Sequence, residues 1–146
     1  MNALATSGES QLMPVAETPQ IRAARGQGHA GMDDDAIWAM EERFWTGGEA
    51  HYRSALHPDC LMGFPAPAGI MSGPAIVEGL AQAPRWSAVE MSGRHLVRPD
   101  PELVVIGYRA RGLRDGAAPY EAFCTSTYRL TAAGWRLVQH QQTPIG

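Results

Sequence analysis

The stretch Asp33-Asp34-Asp35-Ala36-Ile37-Trp38-Ala39-Met40-Glu41-Glu42-Arg43-Phe44-Trp45 reads as an amphipathic helix. At about 100° per residue, Ile37, Trp38, Met40, Phe44 and Trp45 share one broad apolar arc. Asp35, Ala39, Glu42, Arg43 and Thr46 fall on the opposite arc. The three aspartates suit the cap and the positive end of the helix dipole, and Gly47-Gly48 stops the helix. Glu41 breaks the pattern, because it projects near the middle of the apolar arc among Trp38, Phe44 and Trp45. An isolated ionised carboxylate is very costly to bury. This acid therefore has a partner, holds a proton or faces a cavity, and we expect the third.

On the N-terminal side, residues 1–31 are rich in Ala, Gly, Ser, Thr, Gln and Pro. Leu4, Leu12, Val15 and Ile21 follow no regular period. Such a segment buries too little to offset its ordering entropy, so it reads as a disordered or extended tail. The folded domain is then 32–146, with Met32 a candidate natural start.

On the C-terminal side, a shorter helix is expected over Glu49–Leu56, with Tyr52, Ala55 and Leu56 inward and His57-Pro58-Asp59 ending it. Cys60–Phe64 reads as a short strand, Pro65–Gly69 as a turn-rich loop, and Ile70-Met71 as a short returning strand. Gly73-Pro74 opens a third helix whose buried stripe is Ile76, Val77 and Leu80, and Pro84 ends it. From Arg85 the texture is β. Trp86–Val97, Glu102–Leu113, Tyr120–Leu130 and Trp135–Thr143 are long strand-forming runs joined by short turns, which predicts an antiparallel meander. Helices first and a meander after imply an α+β fold with the helices against one sheet face.

Alternation assigns the two faces. Arg109, Arg111, Arg129 and Arg136 mark the outer one. The inner one then carries Tyr108, Cys124, Ser126, Tyr128, Gln139 and Gln141 among aliphatic residues, and His140 falls outside with Arg136. Two phenols and two amides are too polar for a plain core. With Glu41 they describe a cavity of mostly apolar walls and few polar groups, the usual make-up of a small-molecule site. A bulge at Gly93 or Gly107 would reverse the parity locally.

The chain has 146 residues, 45% hydrophobic and 18% charged, which suits one domain with a real core. A formal net charge of −3 and the lack of any basic run give no footprint for nucleic acid. No apolar run is long enough to span a membrane. Cys60 and Cys124 are too few for a disulfide framework, although they leave room for one bridge. With no apolar signal segment near Met1, we expect a cytoplasmic protein with reduced thiols.

The helix with its inward acid is followed by Trp45 and the glycine pair, by Leu56-His57-Pro58-Asp59-Cys60-Leu61-Met62, and by Ser72-Gly73-Pro74-Ala75-Ile76. The chain closes on Gly134-Trp135-Arg136-Leu137-Val138-Gln139-His140-Gln141-Gln142-Thr143-Pro144. From Asp33 to Pro144 this order resembles the nuclear transport factor 2-like superfamily, in particular its SnoaL-like and ketosteroid-isomerase-like domains and a branch known only as a domain of unknown function. The resemblance implies a cone-shaped barrel, a strongly curved antiparallel sheet wrapped on the N-terminal helices, a pocket at the open end and frequent dimers. Its members include isomerases, polyketide cyclases, dehydratases, hydrolases and non-catalytic binding modules, so fold does not decide function. Ketosteroid isomerases pair a carboxylate base with oxyanion donors. The corresponding candidates here are Glu41 as the proton-handling acid and Tyr108 and Tyr128 as donors.

The ligand-facing set expected around them is Trp38, Trp45, Tyr52, Met62, Arg85, Trp86, Cys124, Ser126, Gln139 and Gln141. His57-x-x-Cys60 has metal-like spacing but no matching second pair, so neither metal nor cofactor is expected. The expected partners are a small apolar or aromatic molecule and a second copy in a homodimer, with no nucleic acid and no membrane. The function expected is a cofactor-free isomerase, cyclase or dehydratase. The alternative is a non-catalytic ligand-binding module, or an oligomerisation module using Phe123, Val105 and Val138 on the outer sheet face.

Overall fold

Asp33 starts helix α1 (Asp34–Thr46) by accepting the Ala36 N–H on its carboxylate at 2.9 Å. The computed structural model describes residues 33–146. The tail expected over 1–31 and the Met32 start lie outside the described residues. Ile37, Trp38, Glu41, Phe44 and Trp45 are buried, which is the apolar arc with the acid in it. Gly47 ends α1, but not through the left-handed conformation usual for a terminal glycine. Its backbone is extended, and its N–H donates to the Arg43 carbonyl at 2.7 Å. A Cβ on Gly47 would stand 2.6 Å from that same oxygen, whereas one on Gly48 would meet nothing within 4 Å. Close approach, not φ, demands the glycine. Gly47→Ala is expected to destabilise the domain by about 1–3 kcal/mol, read as a lower urea midpoint at unchanged slope. A loss no larger than that of Gly48→Ala would refute this.

Helix α2 (Glu49–Ala55) buries Tyr52 and Ala55 and passes directly into strand β1 (Leu56–Gly63). His57-Pro58-Asp59 therefore lies inside a strand instead of separating helix from strand. The strand tolerates Pro58, which has no N–H to give, because pairing with the neighbouring strand skips this stretch and resumes at Leu61. Strand β2 (Ile70–Ser72) returns antiparallel to β1, and Pro74 sits in the first turn of helix α3 (Pro74–Gln82). Strands β3 (Ala88–Asp100), β4 (Leu103–Leu113), β5 (Tyr120–Thr131) and β6 (Gly134–Pro144) form the expected meander. The sheet order is β2-β1-β6-β5-β4-β3. Because β1 and β6 run parallel, the sheet is mixed and open, not wholly antiparallel as expected. The architecture is α+β, with the helices first and the sheet after. No helix among the described residues is long and apolar enough to cross a membrane.

Alternation holds through β4 and β5, where Val104, Ile106, Tyr108, Ala110, Ala122, Cys124, Ser126 and Tyr128 are buried. Several irregularities interrupt the pairing elsewhere, and two matter here. The expected one lies in β3, where pairing breaks between Ser92 and His95 around Gly93 at φ +57°. The unexpected one lies in β6. Tyr128 pairs with Leu137 and Thr127 pairs with Gln139, so Val138 is an extra residue. One extra residue reverses every side chain beyond it. Trp135 and Leu137 point inward as expected, but from there the assignment inverts. His140 is buried, Gln141 is exposed, and Gln139 faces outward, where it accepts a hydrogen bond from Thr127 Oγ1 at 3.0 Å.

Candidate functional site

Glu41 is wholly buried and accepts hydrogen bonds from three hydroxyls. Its Oε2 accepts the hydroxyls of Tyr108 and of Ser126 (2.7 Å), and its Oε1 accepts the hydroxyl of Tyr128 (2.7 Å). Trp45 Nε1–H donates in turn to the Tyr108 oxygen at 2.9 Å. Ser126 has one proton and gives it to Glu41. Its 2.7 Å contact with His140 Nδ1 is therefore a donation from the ring to Ser126 Oγ. His140 Nδ1 itself lies 3.4 Å from Glu41 Oε2. The second ring nitrogen, Nε2, stands 3.1 Å from the Gln142 side-chain amide. The order is Glu41, Ser126, His140, Gln142, running from the core outward.

Burial alone pushes the Glu41 carboxyl up. The hydrogen bond and electrostatic influence of His140, followed by the hydroxyls of Tyr108 and Tyr128, outweigh burial and hold it below its ordinary value of 4.5. Both phenols move the other way. Burial first, then the charge of Glu41, pushes Tyr108 and Tyr128 well above 10. They keep their protons and give them to the acid. The sequence expectation thus needs correcting on two points. Glu41 is enclosed by partners and does not face a cavity. Tyr108 and Tyr128 are donors to Glu41, not oxyanion donors aimed at a ligand.

A cavity does lie alongside, at the outer end of this chain of hydrogen bonds. Its volume is about 490 Å³, within the range of small-molecule sites. Helix α1 contributes Phe44 and Trp45, β1 and the following loop contribute Met62 and Phe64, and α3 contributes Ile76 and Leu80. Trp86 and Tyr120 stack 5.7 Å apart on the remaining wall. Among the described residues the polar contributors are Arg85, Arg114, His140 and Gln142, and no aspartate or glutamate lines it. The imidazole of His140 is set between aromatic rings, 6.1 Å from Phe64 and 6.5 Å from Trp45.

Arg85 is committed to the scaffold. Its Nε donates to the Gly47 carbonyl at 2.8 Å, and its Nη2 reaches the carbonyls of Phe44 (2.5 Å) and Trp45 (2.7 Å). These belong to the end of α1, where carbonyls lack helical partners. Tyr52 assists by donating its own hydroxyl to Phe44 O at 2.5 Å. One guanidinium thus ties the α3–β3 connection to the C-terminal end of α1.

Of the ligand-facing residues expected from sequence, Trp45, Tyr52, Met62, Arg85 and Trp86 line the cavity. Trp38 does not. Its ring packs edge-on to Tyr108 at 5.6 Å and under the Arg94 guanidinium at 4.8 Å. Cys124 is buried away from it, with a thiol pushed up to about 12, chiefly by burial. Ser126 sits behind His140, and Gln139 and Gln141 face outward past the Val138 bulge. The sequence reading missed His140 and Gln142, which the same bulge turns inward. The one signal available was inverted polarity, since strict alternation placed the apolar Val138 outside and the amides inside. Arg114 and Tyr120 were also missed: Arg114 lies beside a loop whose path alternation does not constrain, whereas Tyr120 shares the inward parity of Cys124 and Ser126, a signal that was available.

Cys60 and Cys124 are free thiols. His57 does not point to a metal. It accepts the Asp59 N–H at 3.0 Å, and no group of three or more His, Cys, Asp or Glu among the described residues is placed to hold an ion.

The chain adopts the nuclear transport factor 2-like fold, with three helices ahead of a six-stranded, open, mixed sheet and an inward-facing polar cluster. A ketosteroid-isomerase-like protein of Parabacteroides distasonis superposes with a TM-score of 0.65 at 15% identity, covering 79% of this chain and 89% of that one. An NTF2-like protein of unknown function in nutrient uptake from Rhodospirillum rubrum gives 0.63 at 25% identity, covering 78% and 100%. The CamKII hub homology domain of Chlamydomonas reinhardtii gives 0.63 at 16% identity, covering 79% and 100%. No family model matches the chain, and no curated protein matches its sequence.

Proposed function

We propose that the protein binds a small, largely apolar molecule in the cavity and moves a proton on it, without a cofactor, through His140. The observation that carries this reading is the buried succession Glu41–Ser126–His140, which ends on the wall of an apolar cavity. His140 Nε2 is the general base. It removes a proton from a carbon beside a ligand carbonyl, in place of its contact with the Gln142 amide, and returns it at another position. Nδ1 donates to Ser126 and Ser126 to Glu41 both before and after that transfer. The imidazolium is therefore met by an anion already in place, with no reorganisation. Glu41 and Ser126 are positioning residues, and Tyr108 and Tyr128 hold Glu41 in turn. Isomerisation is the simplest outcome of such chemistry, and cyclisation and dehydration share its first step. The two buried free thiols suit a reducing compartment, and we place the protein in the cytoplasm.

Two measurements on the purified protein test this. Native mass spectrometry is expected to find an apolar molecule carried in the cavity. Incubation with cyclic ketones in deuterated water is expected to show protein-dependent deuterium uptake beside the carbonyl. Binding without any uptake would reject the catalytic reading and leave a ligand-binding module.

A second reading concerns the opposite sheet face. Leu61, Ile70, Val97 and Phe123 are exposed there, each by more than half. The register carries Leu61, Gln139, Thr127, Val105 and Val97 across five strands in one row. Exposed apolar side chains on a sheet face that no described element covers suit a homodimer, and the hub homology domain among the structural relatives agrees with assembly. Sedimentation equilibrium is expected to give a dimer that Phe123→Glu weakens at least tenfold. A monomer in the wild type would reject it.

A further inference from the structure

The geometry points to an organic monoanion as the ligand: a flat apolar body in the cavity with its carboxylate, or a like group, on Arg114. This inference rests on the reading of the cavity as a small-molecule site and adds the charge of the occupant. Three observations carry it. Among the described residues the cavity wall holds two arginines and no acid. Arg85, one of the two, is committed to the carbonyls that end α1. Arg114 makes no such commitment. No carboxylate lies within 4 Å of it among the described residues, and its guanidinium makes no side-chain hydrogen bond there.

What Arg114 does have is a platform. Its Cζ stands 4.2 Å from the centroid of the Trp86 ring, and Trp86 stacks in turn on Tyr120. A guanidinium laid on an aromatic face keeps its N–H groups in its own plane, directed outward. That edge matches a carboxylate in the two-pronged manner that lysine does not reproduce. The apolar part of the ligand would lie against Trp45, Trp86 and Leu80, and its opposite end would reach His140 and Gln142. The site thus combines a cation, an imidazole and apolar walls.

The test is a matched pair of probes, pyrenecarboxylate and its neutral carboxamide, titrated calorimetrically into the full chain. The carboxylate is expected to bind about tenfold more tightly than the amide. Raising the salt concentration should shrink that ratio. Arg114→Gln should bring it to about one, and Arg114→Lys should retain part of it. The ratio is internal to each variant, so a partly destabilised protein still reports it. Equal binding of the two probes to the wild type, or a ratio unchanged in Arg114→Gln, would overturn the anion inference while leaving the small-molecule reading intact. Binding of neither probe would overturn both.

Discussion

Glu41→Ala is expected to remove about 3–5 kcal/mol of folding stability, a large share of the roughly 5–15 kcal/mol typical of a domain. The loss does not come from missing apolar contact. It comes from the hydroxyls of Tyr108, Tyr128 and Ser126, which lose a common acceptor in a place water does not reach. Glu41→Gln keeps the shape and separates volume from charge. Its stability should depend less on acidity than that of the wild type, and the sign follows from linkage. The folded carboxyl titrates below its ordinary value of 4.5, so between those two values the unfolded chain holds more protons than the folded one. The contribution of the anion is complete above about pH 4.5 and fades as the pH falls through the folded-state value. Urea midpoints measured from neutral pH down to acid should therefore show the wild type losing its advantage over Glu41→Gln below that point. A difference independent of pH would mean that Glu41 is not an anion in the folded protein.

His140→Phe is expected to slow protein-dependent deuterium uptake by about 10²–10⁴-fold, the usual share of a positioned acid or base. Phenylalanine keeps the ring packed against Phe64 and Trp45, so the fold has no reason to fail, although Ser126 loses its donor. Ser126→Ala separates positioning from chemistry. It leaves the imidazole on the cavity wall and removes the hydroxyl that bridges it to Glu41, while the direct 3.4 Å contact between the two remains. It should lower turnover less than His140→Phe does and shift the pH dependence of what remains. A His140→Phe protein as active as the wild type would remove the imidazole from the reaction. A Ser126→Ala protein with an unchanged pH profile would show that the Ser126 bridge plays no part.

The order of helices and strands was legible because it rests on local signals: the capping aspartate, the apolar arc of α1, the proline at the start of α3, and the alternation of β4 and β5. The anomalous acid was legible too, since a carboxylate at position 41 contradicts its own helix face. Its surroundings were not. Tyr108, Ser126 and Tyr128 were correctly placed inside by alternation, but nothing in their spacing says that all three hydroxyls converge on one carboxylate. The wall that carries His140 and Gln142 was lost for a different reason. Parity carries information along a strand only while the pairing is regular, and the single unpaired Val138 reversed the meaning of every residue from Gln139 onward. The parallel pairing of β1 with β6 joins residues about eighty positions apart, a contact for which neither strand carries a local mark.

Arg85 has a consequence for what the cavity can admit. The guanidinium in its wall also holds the carbonyls of the last turn of α1. A guest wide enough to lever that side chain aside would loosen the very helix that carries Glu41. One wall of the cavity is therefore also a strut of the fold, and the guest that leaves the helix intact is the one that fits without displacing it.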